Sequence, residues 1–228
     1  MKKLEDYLYY EEKNPDLKIY CGDCLEVMPL LGKVDLVVTD PPYNVTLGTK
    51  TRSERQMGYD GINDDMSHNL YRLFCEDIFI ELKKHETVII TPGNSNQSLW
   101  PKPLWTMAWI KDNGVTRTPL TRGQKMNHAC WEPVLVYGKL DEPPHFDTIK
   151  VNIGLQASAD GHPCPKPLKL FKYFLNMKDG LVLDPLLGSG TTLLACKDKN
   201  RNGIGIEISE KYCEIAKKRL RATTKSLF

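Results

Sequence analysis

The fold turns on the stretch Val34-Asp35-Leu36-Val37-Val38-Thr39-Asp40-Pro41-Pro42-Tyr43-Asn44. Its apolar run is short, rich in valine and bounded by turn residues, which is the pattern of a strand buried on both faces. The run delivers an acid, Asp40, and then stops at two prolines. In open α/β sheets ligands bind beyond the carboxyl ends of the strands, so an acid delivered there is a candidate for chemistry. Prolines carry no backbone N–H and stiffen the turn, so its carbonyl oxygens point at a ligand without competing amides. Asp40 and the Pro41 carbonyl can accept two hydrogen bonds from one amino group, and Tyr43 is placed to stack on the ring that bears it. Asp40, Pro41, Pro42 and Tyr43 are the candidate catalytic residues; the plainer alternative for the same residues is a tight turn.

Working outward, similar apolar runs recur at Leu17–Tyr20, Thr87–Thr91, Trp105–Ile110, Val134–Tyr137, Gly180–Asp184 and Asn202–Glu207, with helical patterns at about 66–84, 167–177, 190–199 and 209–223. Strands alternating with helices predict an α/β fold around a mainly parallel sheet. With 228 residues, 41% hydrophobic and 26% charged, the chain fits one compact domain over 1–228. No apolar run reaches the roughly 18 residues needed to span a bilayer, and the segment beginning Met1-Lys2-Lys3-Leu4 has no secretory apolar core. A cytoplasmic protein with no membrane partner is the expectation. Seven cysteines without a small-scaffold spacing fit reduced thiols there. Cys21 and Cys24 form a Cys-x-x-Cys, but no second pair at metal spacing accompanies it, and no metal is expected.

A second constellation is Gly180-Leu181-Val182-Leu183-Asp184-Pro185-Leu186-Leu187-Gly188-Ser189-Gly190-Thr191-Thr192, running into a helix. Glycines between strand and helix let backbone approach a ligand closely, as in nucleotide-type cofactor sites. No Gly-Lys-Ser/Thr follows, which disfavours a phosphate-gripping loop. Farther on, Gly203-Ile204-Gly205-Ile206-Glu207 ends in an acid, the position from which a carboxylate accepts ribose hydroxyls. Together they point to an adenosine-containing cofactor, against the alternative of an ordinary strand-to-helix connection.

These residues resemble the amino-methyltransferases of DNA in their permuted "beta" arrangement, where an Asp-Pro-Pro-Tyr catalytic motif precedes the cofactor-binding glycine motif. Cys21-Gly22-Asp23-Cys24-Leu25-Glu26 resembles the segment that holds the cofactor's adenine, with Asp23 the matching acid. His162-Pro163-Cys164-Pro165-Lys166-Pro167 resembles the family's His-Pro-x-x-Lys-Pro motif beside the cofactor, and Glu132-Pro133-Val134-Leu135-Val136-Tyr137-Gly138-Lys139 its late core strand. Leu186 stands where the family usually has Phe. The resemblance implies a single Rossmann-like domain with a seven-stranded sheet in circularly permuted order and S-adenosylmethionine as cofactor. It makes Asp23, Asp184, Pro185, Gly188, Ser189, Gly190, Thr191, Glu207, His162 and Lys166 the cofactor-binding candidates. His162 is read as a structural hydrogen-bonding residue rather than a base.

The resemblance implies DNA as partner, although a net charge of +2 does not by itself demand one. The segments 44–65 and 112–130, long and basic, are the candidate target-recognition loops. Lys50, Arg52 and Arg55 in the first, and Arg117, Arg122 and Lys125 in the second, are the nucleic-acid candidates. A third basic cluster on the terminal helix reads as a solvated face, and Trp100, Trp105, Trp109 and Trp131 read as core. Adenine is the favoured target, because Ser commonly replaces the motif's first Asp in the cytosine enzymes. Cytosine, an RNA adenine and a non-catalytic nucleic-acid-binding subunit remain alternatives, and a homodimer is left open.

Overall fold

A computed structural model describes residues 2–44, 66–111, 116–119, 126–142, 146–152 and 166–223. Its strands are β1 (Leu8–Glu12), β2 (Leu17–Cys21), β3 (Leu36–Thr39), β4 (Thr87–Ile90), β5 (Trp105–Ile110), β6 (Thr116–Pro119), β7 (Met126–Ala129), β8 (Trp131–Gly138), β9 (Thr148–Lys150), β10 (Val182–Asp184) and β11 (Gly203–Glu207). Its α-helices are α1 (Cys24–Val27), α2 (His68–Leu82), α3 (Leu168–Phe174), α4 (Thr191–Asp198) and α5 (Glu210–Ala222). Among the described residues, none of these helices is long and apolar enough to cross a membrane.

Nine of the described strands form one sheet in the order β1-β2-β11-β10-β3-β4-β8-β5-β9. From β2 to β4 neighbours run parallel; β8 runs antiparallel to both β4 and β5. The seven strands expected from the sequence are the contiguous centre, β2 to β5 in that order. β1 and β9 extend the two edges and went unread because Leu8-Tyr9-Tyr10-Glu11-Glu12 has no apolar run and β9 has three residues. The 112–130 segment, expected as loop, contains an antiparallel hairpin of β6 and β7, with Thr116 opposite Ala129. Thr116-Arg117-Thr118-Pro119 has no apolar face to announce a strand.

Both faces of the central strands are covered. Leu36 and Val38 join the cluster built with Leu170 and Phe174 of α3, Leu193 of α4 and Ala216 and Leu220 of α5. Val37, between them, points to the other face and packs with Tyr71, Cys75, Ile78 and Leu82 of α2. This two-sided burial is why the strand sequences are continuous rather than alternating. Because α2 follows β3 on one face and α4 follows β10 on the other, the chain diverges between these adjacent strands. That divergence makes a switch point, and a crevice opens at the strands' carboxyl ends.

Candidate active site

Asp40 stands one residue beyond β3, inside this crevice. Its Oδ1 accepts from the Thr91 hydroxyl at 2.6 Å and lies 3.1 Å from the Tyr43 hydroxyl, and its Oδ2 accepts from the Lys166 ammonium at 2.7 Å. The Asp-Pro-Pro-Tyr turn is pinned from outside: the Tyr71 hydroxyl donates to the Pro42 carbonyl and Asn96 Nδ2 to the Tyr43 carbonyl, both at 2.6 Å. Asn44 then leaves the turn with φ 49°, a left-handed conformation that asparagine tolerates. The Tyr43 ring lies against the backbone of Gly93, which has φ +71°; a Cβ there would stand 2.9 Å from two ring carbons. Pro41 is buried beside Asp40.

Three residues that the sequence reading left out of the site complete it: Thr91, Glu132 and Lys111. The Tyr43 hydroxyl donates to Glu132 Oε2 at 2.8 Å, and Lys111 Nζ meets Glu132 Oε1 at 2.5 Å. This pair is buried, with Lys111 and Glu132 side chains 1% and 8% exposed. Burial works against the Glu132 charge, but Lys166 and Lys111 outweigh it and hold the carboxyl below its ordinary range. Burial, with Asp40 and Glu132 adding to it, pushes the Tyr43 phenol well above its usual value, so Tyr43 stays a neutral donor. In the sequence Glu132 is the first residue of a core strand, and a lone acid opening an apolar run is the signal that marks it.

On the neighbouring strands, Asp184 ends β10 and Glu207 ends β11. Asp184 is fully engaged in the glycine turn: it accepts from the Leu186 amide at 3.1 Å and from the Thr192 hydroxyl. Burial raises its carboxyl to about 7. Glu207 accepts from the Gly188 amide at 2.8 Å and the Ser209 amide at 2.9 Å, and burial raises its pKa too. Gly190 caps α4 with φ +87°, where a Cβ would meet Ala216 at 2.8 Å, whereas a Cβ on Gly188 would meet nothing within 4 Å. The loop therefore presents bare backbone at the crevice. Pro185 is buried behind it. Asp23, exposed, caps α1 by accepting from the Leu25 amide at 2.9 Å, two residues past the Cys21–Glu207 pairing.

Of the other expected site residues, Lys166 has its ammonium on Asp40 and Tyr43. The hydroxyls of Ser189 and Thr191 face Arg219, whose Nη1 lies 2.8 Å and 3.5 Å away and also donates to the Ser189 carbonyl at 2.6 Å. His162, Lys50, Arg52, Arg55, Arg122 and Lys125 lie outside the described residues, and Arg117 is described only as backbone within β6. Trp100 and Trp109 are core, as expected. Trp105 and Trp131, expected as core, are 41% and 42% exposed: each is the first residue of its strand, β5 and β8. Cys24 is buried on α1, with its thiol raised to about 12 by burial.

Residues 121–218 match the model of a DNA methylase family. That stretch holds the glycine turn and Glu207 and lies C-terminal to Asp40. The Type II methyltransferase M.HpaI of Haemophilus parainfluenzae is 28% identical over 90% of this chain and 74% of its own length. The M1.HpyAVI–SAM complex superposes with a TM-score of 0.60 at 23% identity, covering 90% of this chain and 99% of that one. The PvuII DNA methyltransferase (cytosine-N4-specific) superposes with a TM-score of 0.64 at 16% identity, covering 93% and 88%. The sheet and its helical layers are the Rossmann-like fold of S-adenosylmethionine-dependent DNA methyltransferases, and the family match with the Type II relative supports a DNA methyltransferase.

Proposed function

We propose that this chain transfers a methyl group from S-adenosylmethionine to the exocyclic amino group of adenine in DNA. The observation that carries the reading is the adjacency of two ends: Asp40 beyond β3 and the Gly188 turn beyond β10 face one crevice, because β3 and β10 are direct neighbours in the sheet. The residues present fit the cofactor. Bare backbone at Gly188 admits a close ligand. The Glu207 carboxylate, though bonded to two amides, keeps lone pairs for ribose hydroxyls, and exposed Asp23 stands at the same edge for the adenine end. Pro185, Gly190, Ser189 and Thr191 shape the turn, and Asp184 locks it. When bound, S-adenosylmethionine supplies a methyl group activated by a sulfonium charge.

An exocyclic amino nitrogen is a weak nucleophile because its lone pair is delocalised into the ring. Asp40 and the Pro41 carbonyl, accepting its two N–H groups, favour a pyramidal nitrogen whose lone pair is free to attack. Thr91 holds the Asp40 carboxylate, and Glu132 holds the Tyr43 ring on which the base stacks. Positioning of this kind supplies most of the acceleration. As the acceptor of an amino N–H, Asp40 is the group placed to take the proton that the methylated nitrogen sheds. In a duplex the amino group is out of reach, so the base must be extruded at a cost of a few kcal/mol.

Recognition belongs to 44–65 and 112–130, where Lys50, Arg52, Arg55, Arg117, Arg122 and Lys125 are available for phosphates or base edges. The second segment springs from Lys111 and Cys130, whose backbones are joined by a 2.9 Å hydrogen bond from the Lys111 amide to the Cys130 carbonyl, at the sheet edge that carries Asp40. An aspartate at position 40 favours adenine; the same pair of acceptors suits the amino group of cytosine. Incubating the protein and labelled cofactor with DNA and with RNA, then identifying the modified base, tests the reading. N6-methyladenine in DNA is the expected product, and absence of transfer to any nucleic acid overturns it.

A further inference from the structure

The Lys166 ammonium makes three contacts with the catalytic turn: 2.7 Å to Asp40 Oδ2, 2.7 Å to the Tyr43 hydroxyl and 4.4 Å to the centre of the Tyr43 ring. A nitrogen donor on the acid is the contact required of a target amino group, and the ammonium makes it while bridging to the hydroxyl end of Tyr43. We propose that Lys166 is a built-in stand-in for the target amino group: its ammonium fills the Asp40 acceptor until a base displaces it. The proposal rests on the methyltransferase reading of the site.

The physical reasons are on the same atoms. Asp40 and Glu132 both lie within 3.1 Å of one tyrosine hydroxyl, which brings two carboxylates close together in the site. Lys111 pairs with the deeper one, and Lys166 pairs with the shallower while its charge also bears on the deeper. A partly buried carboxylate without its cation would be costly, so the ammonium keeps the site in place between substrates. The Lys166 and Asp40 side chains are 16% and 26% exposed, against 1% and 8% for the Lys111–Glu132 pair. The outer pair is therefore the one that opens at modest cost, and a flexible four-carbon stem lets the ammonium swing away. A ligand that brings an N–H donor to Asp40 replaces the hydrogen bond that Lys166 gives up, and a flat ring stacked on Tyr43 adds a contact the ammonium does not make. Because Lys166 competes with the base, it lowers the apparent affinity for DNA by the fraction of molecules in which it holds the site.

The test compares wild type with Lys166→Met and Lys166→Gln, measured by fluorescence anisotropy in S-adenosylhomocysteine. One duplex carries the site mapped on genomic DNA and another carries a scrambled site. The expected result is about three- to ten-fold tighter binding of the mapped duplex, with KM falling in step and the scrambled duplex unchanged. Equal weakening on both duplexes with a smaller salt dependence would make Lys166 a phosphate contact. A loss of cofactor affinity by calorimetry would make it a cofactor ligand, and unchanged affinity would make it a bystander; each overturns the proposal. The ζ-nitrogen NMR signal of Lys166 checks the placement without DNA: it should shift in Asp40→Asn, and a signal indifferent to that change also overturns the proposal. Failure of the wild type to methylate any nucleic acid strikes the methyltransferase reading instead, so the two failures are told apart.

Discussion

Replacing Lys111 by Met tests the deepest part of the site. The ammonium lies 2.5 Å from Glu132 Oε1, with 1% of the lysine side chain and 8% of the glutamate side chain exposed. Methionine preserves most of the stem's packing beside Trp109, over whose ring the ammonium sits at 5.2 Å, but it leaves a buried carboxylate with Tyr43 as its remaining close donor. Breaking a buried pair from one side costs about 3–5 kcal/mol, because the other charge stays desolvated. At this chain length each kcal/mol moves the melting temperature by about 2–4 °C, so a drop on the order of 10 °C is expected by differential scanning calorimetry. Replacing both partners, Lys111→Met with Glu132→Leu, removes the stranded charge and should recover most of the loss, to within about 1–2 kcal/mol of wild type. The double variant should still methylate poorly, since Tyr43 no longer has the carboxylate that orients it. A single variant that melts within 2 °C of wild type, on a scale of about 2–4 °C per kcal/mol, would show that Glu132 is not held as a buried anion and would refute the reasoning.

Asp40→Ala should nearly abolish methyl transfer while calorimetric cofactor affinity largely survives; wild-type turnover would remove Asp40 from the mechanism. Glu207→Ala should show the opposite bias, weakening the cofactor first and also loosening the turn at Gly188, and unchanged cofactor affinity would exclude it. Asp184 has a folded-state carboxyl raised to about 7 from an ordinary 3.8, so the folded protein keeps a proton that the unfolded chain gives up. Its contribution to stability is present below about pH 4 and is lost as pH rises towards 7, by on the order of 4 kcal/mol at most. Urea unfolding of Asp184→Asn should lack that part of the slope, and a variant with the wild-type slope would contradict it. Substituting Arg117 or Arg122 and mapping methylated positions across a bacterial genome separates base readers from phosphate grips. The wild-type site should be short, on the order of two to five base pairs at one contact per base or less, and a stringent site of eight or more pairs would mean that a dimer or partner protein supplies contacts.

The local signals legible in the chain were those with a local cause. The central strands are written as short apolar runs, most continuous where both faces are buried as in β3, β4 and β10, so all seven, and the acids that end β10 and β11 or directly follow β3, were readable without coordinates. Glycines that adopt positive φ between strand and helix announced the Gly188–Gly190 turn in the same way. β1, β9 and the β6–β7 hairpin were not readable, since edge and surface strands carry no such pattern. What only the tertiary structure decided is who meets at Asp40. Thr91, Glu132 and Lys166 come from three separate segments, and the sheet order β10-β3-β4-β8 is what gathers them. No local pattern records that order, because it is set by which faces the helices cover and which strands pair. The same gathering set the Lys166 ammonium on Asp40 and Tyr43 and drew the hydroxyls of Ser189 and Thr191 to Arg219 on α5. A side chain's partner is fixed by the competition among every donor and acceptor that folding brings within about 3 Å, and that competition exists only once the sheet is assembled.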